Sequence, residues 1–296
     1  MKGIILAAGD APGLRPATRT VPKALLPIYD KPMVYHPLST LMLAGVRDLL
    51  VITTPRARPQ FEACLGDGAQ FGVSLTYAEQ AEPRGIADAF LIGEAFLAGG
   101  PAALILGDTL FFGAGLTANL RDAAALTSGA RIFAARVRNP ERYGVVGFDA
   151  EGRPVALEEK PQHRGSDWAV TGLYVYGPDV VEVARGVRPS LRGQLEITDV
   201  NRAYLERGEL DVRRLPRGET WLDTRRHDSL AEAAAFIRAL EHRQGLKIAC
   251  PEEIALHAGW LTPAETAERG RAMGKTDYGR YLLELAGAAG AAVRAA

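Results

Sequence analysis

The sequence predicts an α/β protein whose central sheet is mostly parallel and covered by helices on both faces. Short apolar runs typical of buried strands alternate with longer stretches of helical periodicity, which is the pattern of β-α-β units. The chain has 296 residues, of which 47% are hydrophobic and 24% charged. A globular chain of this length buries a substantial core without disulfides or metals. A loop containing glycine and proline follows the first apolar run, as expected between a strand and a helix.

The first part of the chain supplies the predicted parallel strands. We expect strands over residues 3–8, 48–53, 73–77 and 102–106, and helices over residues 37–44, 59–65 and 86–97. The strand predictions rest on short apolar runs, and the helix predictions on apolar residues spaced three or four apart. The last of these strands ends at Gly107-Asp108, so that a carboxylate stands at its carboxyl end. Ligands of open α/β sheets bind at that edge.

From about residue 130 the pattern changes to strands and turns. We expect strands over residues 130–137, 144–148, 154–159 and 169–176, and mainly helices after residue 197, including 229–244 and 276–289. No linker rich in Ser, Pro or Gly separates these strands from the first part. The sequence therefore predicts a mixed-sheet extension of one domain, followed by C-terminal helices.

Composition and charge exclude several classes of partner. The chain carries 35 Lys plus Arg and 35 Asp plus Glu, so no bulk positive field attracts nucleic acid or anionic membranes. Its 2 cysteines suit neither a disulfide framework nor a zinc site. The apolar amino terminus is broken at Gly9-Asp10 and lacks the form of a signal peptide, and no apolar stretch is long enough to span a membrane. We expect a cytoplasmic protein.

The loop after the first strand is the most informative local motif. It reads Leu6-Ala-Ala-Gly-Asp-Ala-Pro-Gly-Leu-Arg-Pro16 and is followed by Lys23. Backbone N–H groups of such a loop can face a phosphate, and a lysine just beyond it adds a positive charge. Taken alone, the motif is equally compatible with a tight turn and a surface lysine.

Longer stretches along nearly the whole chain carry a family resemblance. They include Leu25-Leu-Pro-Ile-Tyr-Asp-Lys-Pro-Met33, Pro140-Glu-Arg-Tyr-Gly-Val-Val146, Leu157-Glu-Glu-Lys-Pro161, Leu195-Glu-Ile-Thr-Asp199 and Trp221-Leu-Asp-Thr224. In these stretches the chain resembles the sugar-1-phosphate nucleotidylyltransferases, in particular the glucose-1-phosphate thymidylyltransferases. The resemblance implies a three-layer Rossmann-like nucleotidyltransferase fold in one domain. Residues 1–130 would bind the nucleotide, 131–228 the sugar phosphate, and 229–296 would form a helical assembly region.

The resemblance also implies a reaction and its partners. The phosphate of glucose 1-phosphate attacks the α-phosphorus of dTTP, which gives dTDP-glucose for deoxysugar biosynthesis and releases pyrophosphate. No protein nucleophile is needed, because the protein has to align two anions and stabilise the charge of the leaving group, with help from Mg²⁺. The resemblance further implies a homo-oligomer, either a dimer or a tetramer, and a second, regulatory nucleotide-sugar site in the C-terminal region.

Site residues follow from the positions that match the family. The two phosphate-binding lysines correspond to Lys23 and Lys160, and the metal ligands to Asp108 and Asp223. The nucleotide side corresponds to Leu6, Ala8, Gly9, Gln80, Gly85 and Asp108. The sugar-phosphate side corresponds to Thr109, Tyr143, Gly144, Glu159, Lys160, Val170 and Thr171. Individually, each has a structural alternative, such as a strand residue, a turn glycine or a packing aromatic.

The phosphate loop departs from the family pattern. Ala8 and Ala11 stand where the family has glycines, Pro12 replaces a threonine, and Gly13 replaces the arginine that contacts the transition state. Proline removes a backbone donor, and alanine restricts close approach. Arg15 is the candidate for the lost catalytic role. If the loop limits activity, we expect Gly13→Arg together with the other three reversions to raise it.

Two further departures leave alternatives open. Arg225 and Arg226 follow the second metal carboxylate where the family has glycine and threonine. They either supply the charge that the loop lacks, or pair with Asp223 and displace the metal, or face solvent. Thr109 replaces an asparagine, so the hydroxyl pattern of the preferred sugar can differ from that of glucose. The altered loop also favours an alternative function, that of a catalytically degenerate homologue binding a nucleotide or nucleotide sugar as a regulatory or assembly subunit.

Overall fold

The computed structural model describes residues 1–162 and 165–295. The strands are β1 (Lys2–Leu6), β2 (Pro27–Ile28), β3 (Lys31–Pro32), β4 (Asp48–Thr53), β5 (Ser74–Glu79), β6 (Ala102–Leu106), β7 (Thr109–Phe112), β8 (Ala130–Arg136), β9 (Gly144–Phe148), β10 (Pro154–Glu159), β11 (Trp168–Tyr176), β12 (Leu210–Arg214) and β13 (Thr220–Asp223). The helices are α1 (Tyr35–Leu43), α2 (Arg58–Leu65), α3 (Asp88–Ile92), α4 (Glu94–Leu97), α5 (Leu116–Ala124), α6 (Val180–Gly186), α7 (Ile197–Glu206), α8 (His227–Gln244), α9 (Pro251–His257), α10 (Pro263–Ala272) and α11 (Asp277–Ala295).

Within these described residues, one nine-stranded sheet forms the centre of the molecule, with the order β10-β9-β11-β6-β1-β4-β5, with β8 paired to β11 and β12 paired to β8. Strands β5, β4, β1 and β6 run parallel to one another. β11 is antiparallel to β6, and it also pairs with β8 and β9 in antiparallel fashion. The predicted α/β fold, with a mostly parallel centre and a mixed extension, is confirmed.

Both faces of the sheet are buried, which explains why its central strands are almost wholly apolar. Successive side chains of a strand point to opposite faces. Ile5 accordingly packs in the cluster with α1, α2 and α5, whereas Ile4 packs in the cluster with α3, α6 and α7. Both isoleucines are fully buried. The helices on the two sides give the fold its three layers.

Most predicted elements lie within two residues of the observed ones, but several predictions were wrong. The helix predicted over residues 86–97 is two helices, α3 and α4, which meet at Gly93. A Cβ at Gly93 would lie 3.0 Å from both the Ala89 carbonyl oxygen and the Ile4 side chain, so the chain there lies tightly against the sheet. The first strand ends at Leu6 rather than at residue 8, and α11 extends beyond residue 289. Strands β7, β12 and β13 were not predicted.

A membrane-crossing helix is not found in the part of the chain that the structure describes, because no helix there is both long and apolar enough.

Candidate active site

A cavity of about 340 Å³ opens at the carboxyl ends of the parallel strands. β1 ends at Leu6 and β6 ends at Leu106, and these two residues are paired between the two strands. β11 runs the opposite way beside β6, with Leu173 opposite Ile105. The first half of β11 therefore extends past the end of β6 and forms a second wall of the cavity.

The cavity brings together predicted residues from both halves of the chain. Its lining contains Leu6, Ala8, Gly9, Lys23, Gln80, Gly85, Asp108, Thr109, Tyr143, Gly144, Glu159, Lys160, Val170, Thr171 and Asp223. Among the predicted site residues, Arg15 is the one that does not belong to this lining. The residues predicted for the nucleotide, the sugar phosphate and the metal thus share one concave site.

Asp108 and Asp223 reach the same cavity through a pair of short strands. β13 is antiparallel to β7, and Asp223 stands opposite Thr109 in their register. Thr224 is fully buried, and its hydroxyl donates to the carbonyl oxygen of Asp108 at 3.0 Å. This ladder and this hydrogen bond fix two carboxylates that lie far apart in the sequence.

Gln80 and Gly85 belong to the predicted nucleotide side and line the cavity. The buried Gln80 amide donates through Nε2 to the Gly85 carbonyl at 3.1 Å and to the Asp88 carboxylate at 2.9 Å. Both amide protons are therefore engaged, and Oε1 is left as the acceptor. Gly85 has a φ of +107°, and a Cβ there would collide with the backbone of Leu195. Only glycine allows this close approach.

The phosphate region of the cavity contains paired opposite charges. The buried Lys23 ammonium forms an ion pair with Asp108. Asp223 accepts hydrogen bonds at 2.9 Å from Arg225 Nε, from the Arg225 backbone and from the Tyr143 hydroxyl. Burial alone would raise the pKa of Asp223, but the Arg225 charge and these hydrogen bonds outweigh it and lower the pKa. Burial and the Asp223 charge raise the pKa of Tyr143, which keeps its hydroxyl a donor.

Glu159 is the centre of the predicted sugar side. Its Oε2 accepts from the Thr198 hydroxyl at 2.8 Å and its Oε1 from Arg192 at 3.2 Å. A Cβ at Gly144 would lie 3.2 Å from both Glu159 Oε2 and Thr198 Oγ1, so the strand passes close to this pair. Lys160 follows with a left-handed backbone, at φ +47°. Its ammonium lies 3.9 Å from Glu159 and is largely exposed, which leaves it available to an anion.

The altered loop does not bring Arg15 to the cavity. The exposed Arg15 guanidinium pairs with Asp10 at 2.6 Å, so this charge is already compensated. A Cβ at Gly13 would lie 2.8 Å from the carbonyl oxygen of Arg225. Any larger residue at position 13 must displace that backbone. An arginine at position 13 therefore needs a shift of the Arg225 backbone, and the gain expected from Gly13→Arg together with the other three reversions stays a prediction.

The two added arginines, Arg225 and Arg226, differ in their position relative to the cavity. Arg225 lines the cavity, pairs with Asp223, and lies 4.6 Å over the Tyr143 ring. Arg226 is exposed and does not belong to the lining.

Sequence reasoning missed several residues of the lining. These are Ala7, Arg142, Tyr174, Arg192, Gln194, Glu196, Thr198 and Trp221. Glu196, Thr198 and Trp221 lie inside stretches that carried the family resemblance, so the signal was present but was not read residue by residue. Arg192 pairs with both Glu159 and Glu196 across the cavity wall. The pair with Glu196 is four residues apart in the sequence, whereas the pair with Glu159 depends on the fold.

Comparison with known proteins agrees over nearly the whole chain. The family model described as "Nucleotidyl transferase" matches residues 2–239. The chain is 54% identical over 285 residues to the glucose-1-phosphate thymidylyltransferase of Neisseria meningitidis, covering 96% of this chain and 99% of that one. It is 52% identical over 285 residues to the protein of the same name from Mycobacterium tuberculosis, with the same coverage of 96% and 99%.

Solved structures agree with the sequence comparisons. A putative glucose-1-phosphate thymidylyltransferase from Bacillus anthracis, in complex with a sucrose, superposes with a TM-score of 0.75 at 36% identity, over 80% of this chain and 95% of that one. A UDP-glucose pyrophosphorylase complexed with UDP-glucose superposes with a TM-score of 0.70 over 82% of this chain and 99% of that one. At 24% identity, the second likeness concerns the fold alone.

Proposed function

This chain belongs to the nucleotidyl transferase family, and from that premise we propose that it is a glucose-1-phosphate thymidylyltransferase, coupling dTTP and glucose 1-phosphate to dTDP-glucose and pyrophosphate. The observation that carries the proposal is the shared cavity, whose lining contains Gln80, Glu159 and Lys160 together with the carboxylates of Asp108 and Asp223. Relatives of that name are 52–54% identical over almost their full length.

The reaction requires charge and position rather than a protein nucleophile. An oxygen of the sugar phosphate forms a bond to the α-phosphorus of dTTP, the bond to the β-phosphate bridge breaks, and its electron pair leaves with pyrophosphate. We assign Lys23 to the nucleotide phosphates and Lys160 to the sugar phosphate, because both ammonium groups line the cavity. Offsetting the repulsion between the two anions and holding them in line lowers the barrier.

The cavity chemistry also fits base recognition. The Gln80 amide is oriented by Gly85 and Asp88, so it offers an acceptor rather than a donor. Thymine carries a donor at N3, and a buried acceptor opposite it would complete the pair. Uracil has the same donor, so Gln80 supports a pyrimidine with a protonated N3 but does not choose between the two bases.

Nucleotidyl transferases of this family generally use a divalent metal ion, and we assign Asp108 and Asp223 as its protein ligands. Both line the cavity, and their hard oxygens suit Mg²⁺, which commonly takes one or two carboxylates together with substrate phosphates. The described residues contain no group of three or more His, Cys, Asp or Glu able to hold a metal. When bound, the ion would neutralise phosphate charge.

Pyrophosphate release by the purified protein with dTTP, glucose 1-phosphate and Mg²⁺ tests the proposal. We expect turnover in the usual range of roughly 1–10³ s⁻¹, and its loss on chelation of the metal without loss of the fold. Calorimetric titration with dTTP runs beside the assay. Binding of dTTP without turnover would refute the enzymatic function and support the regulatory subunit that the altered loop suggested.

Assembly and regulation by the C-terminal helices stay predictions. A second cavity, of about 370 Å³, is lined by residues of α1, α5 and α9 and by Lys247. We place the regulatory nucleotide-sugar site that the resemblance implies in this cavity, where Lys247 pairs with Asp30 and Glu241. Light scattering of the eluted protein distinguishes a monomer from the expected dimer or tetramer.

A further inference from the structure

Arg225 lines the cavity, and Asp223 and Tyr143 fix the position of its guanidinium group. Its Nε and its backbone N–H both donate to Asp223 Oδ1 at 2.9 Å. Its guanidinium carbon lies 4.6 Å from the centre of the Tyr143 ring. A planar group fixed by an ion pair on one edge and an aromatic ring on its face loses little further freedom when it binds a ligand.

The outer edge of this guanidinium is available to a ligand. A guanidinium has five N–H donors, of which four are on the two terminal nitrogens. In residues 1–162 and 165–295, the hydrogen bonds of the Arg225 side chain are made through Nε alone. A free fork of N–H groups facing a cavity matches two oxygens of a phosphate.

Three neighbouring cations are held differently from Arg225. Lys23 is paired with Asp108, and Arg192 is shared between two glutamates. Arg142 also approaches Asp223, at the longer distance of 3.3 Å. Arg225 is therefore the arginine that combines a fixed position with a free bidentate edge.

The loop after β1 lies close to the backbone of Arg225. Ala8 and Gly9 bring this loop into the cavity lining, but its one arginine, Arg15, is bound to Asp10 outside. The absence of a side chain at Gly13 leaves room for the Arg225 carbonyl, which would lie 2.8 Å from a Cβ. The segment beginning at Arg225 thus packs directly on the loop that carries the nucleotide side of the site.

We propose, building on the proposed function, that Arg225 binds the triphosphate and stabilises the charge on the departing pyrophosphate, and that Gly13 is required because it admits the Arg225 backbone. Arg225 takes the catalytic role that the sequence suggested for Arg15. It moves no proton. The electron pair of the breaking bond between the α-phosphorus and the bridging oxygen leaves with pyrophosphate, where the guanidinium donors meet the developing charge.

Arg225→Met tests the first half of the proposal, with Arg226→Met as the matched control. We expect kcat to fall about 10²- to 10³-fold and dTTP affinity, measured by calorimetry, to fall about 10- to 100-fold, while KM for glucose 1-phosphate changes little. Arg226→Met keeps all three values because its side chain lies outside the lining. Arg225→Lys keeps the charge without the fork, so an intermediate loss is expected.

Gly13→Ala tests the second half, with Gly186→Ala as the control, since Gly186 has open space around its Cβ position. We expect Gly13→Ala to lose much of the same activity by displacing Arg225. The double variant Gly13→Ala/Arg225→Met then loses no more than Arg225→Met alone, because both changes remove one interaction. Additive losses would overturn the link between the two residues.

Wild-type results separate the failure of this inference from the failure of the proposed function. If the wild type turns over and Arg225→Met is as active as Arg226→Met, the inference is wrong and the function stands. If the wild type does not turn over, the proposed function is wrong, and the affinity for dTTP tests whether Arg225 binds the triphosphate. Equal affinity of the wild type and Arg225→Met, or no binding to either, overturns the inference. Circular dichroism establishes that each variant is folded.

Discussion

Gln80→Leu removes the acceptor that we assign to the nucleobase and keeps a side chain of similar size. The Gln80 Nε2 donates to Gly85 and to Asp88, and both Gln80 and Asp88 are buried. Its Oε1 accepts no hydrogen bond from another described residue, so a base N3–H is the donor we expect there. Leucine would leave that donor without a partner in a partly dry site.

The magnitude follows from the cost of an unpaired polar group. Leaving one buried donor unsatisfied costs about 1–3 kcal/mol, which corresponds to a decrease of about 5- to 150-fold in kcat/KM for dTTP. The Gly85 carbonyl and the Asp88 carboxylate also lose their Gln80 partner, so the unfolding temperature should fall. KM for glucose 1-phosphate should change little, because the Gln80 amide is bonded to Gly85 and Asp88 and not to Glu159 or Lys160.

Steady-state pyrophosphate release, measured at varied dTTP and at varied UTP, is the assay. Both bases carry the N3 donor, so both values of kcat/KM should fall together. Gln60→Leu is the control, because Gln60 donates only to the Thr20 carbonyl and lies outside the cavity lining. The reasoning is refuted if Gln80→Leu retains the wild-type kcat/KM for dTTP, or if its main effect is on glucose 1-phosphate.

Three further predictions concern stability, pH and the altered loop. Lys31→Met should lower the free energy of unfolding, measured by urea denaturation, by about 3 kcal/mol. The reason is that Lys31 is buried and pairs with the buried Glu241 at 2.8 Å. In the variant, Lys247 still pairs with the Glu241 carboxylate. Folding lowers the pKa of Asp223 below its unfolded value of about 3.9. The ionised carboxylate therefore stabilises the fold above that pH, and this contribution is lost as the pH falls through the folded pKa. Asp223→Asn should accordingly flatten the dependence of the free energy of unfolding on pH below about pH 4. Gly13→Arg alone should lower pyrophosphate release, because a side chain at position 13 displaces the backbone of Arg225.

Each of these predictions has an outcome that contradicts it. Lys275→Met is the control for the buried lysine because Lys275 is exposed, and an equal loss in the two variants would mean that burial does not matter. An unchanged acid profile in Asp223→Asn would exclude its ion pair as a source of pH dependence. A gain of activity from Gly13→Arg alone would show that the loop tolerates the side chain and that the 2.8 Å contact is readily relieved.

Local patterns were sufficient for the elements that are buried on both faces. β4 and β6 have the predicted bounds because their apolar runs are continuous and end at polar or turn residues. β13 was missed because its four residues are all partly buried, which leaves neither an apolar run nor an alternation. Its partner β7 follows Asp108 directly and has only four residues, and no strand was predicted there. A strand whose stability comes from its partner carries little signal of its own.

The sequence by itself determined the fold class, the placement of Asp108 at a strand end and, through resemblance, the residue types of the site. Only the tertiary structure decided which of these residues meet. The antiparallel pairing of β7 with β13 places Asp223 opposite Thr109, next to Asp108, and the fold puts Arg225 in the cavity lining while Arg15 pairs with Asp10 outside it. The physical reason is that hydrophobic periodicity is local, whereas backbone pairing and steric contact between distant segments depend on where the whole chain places them.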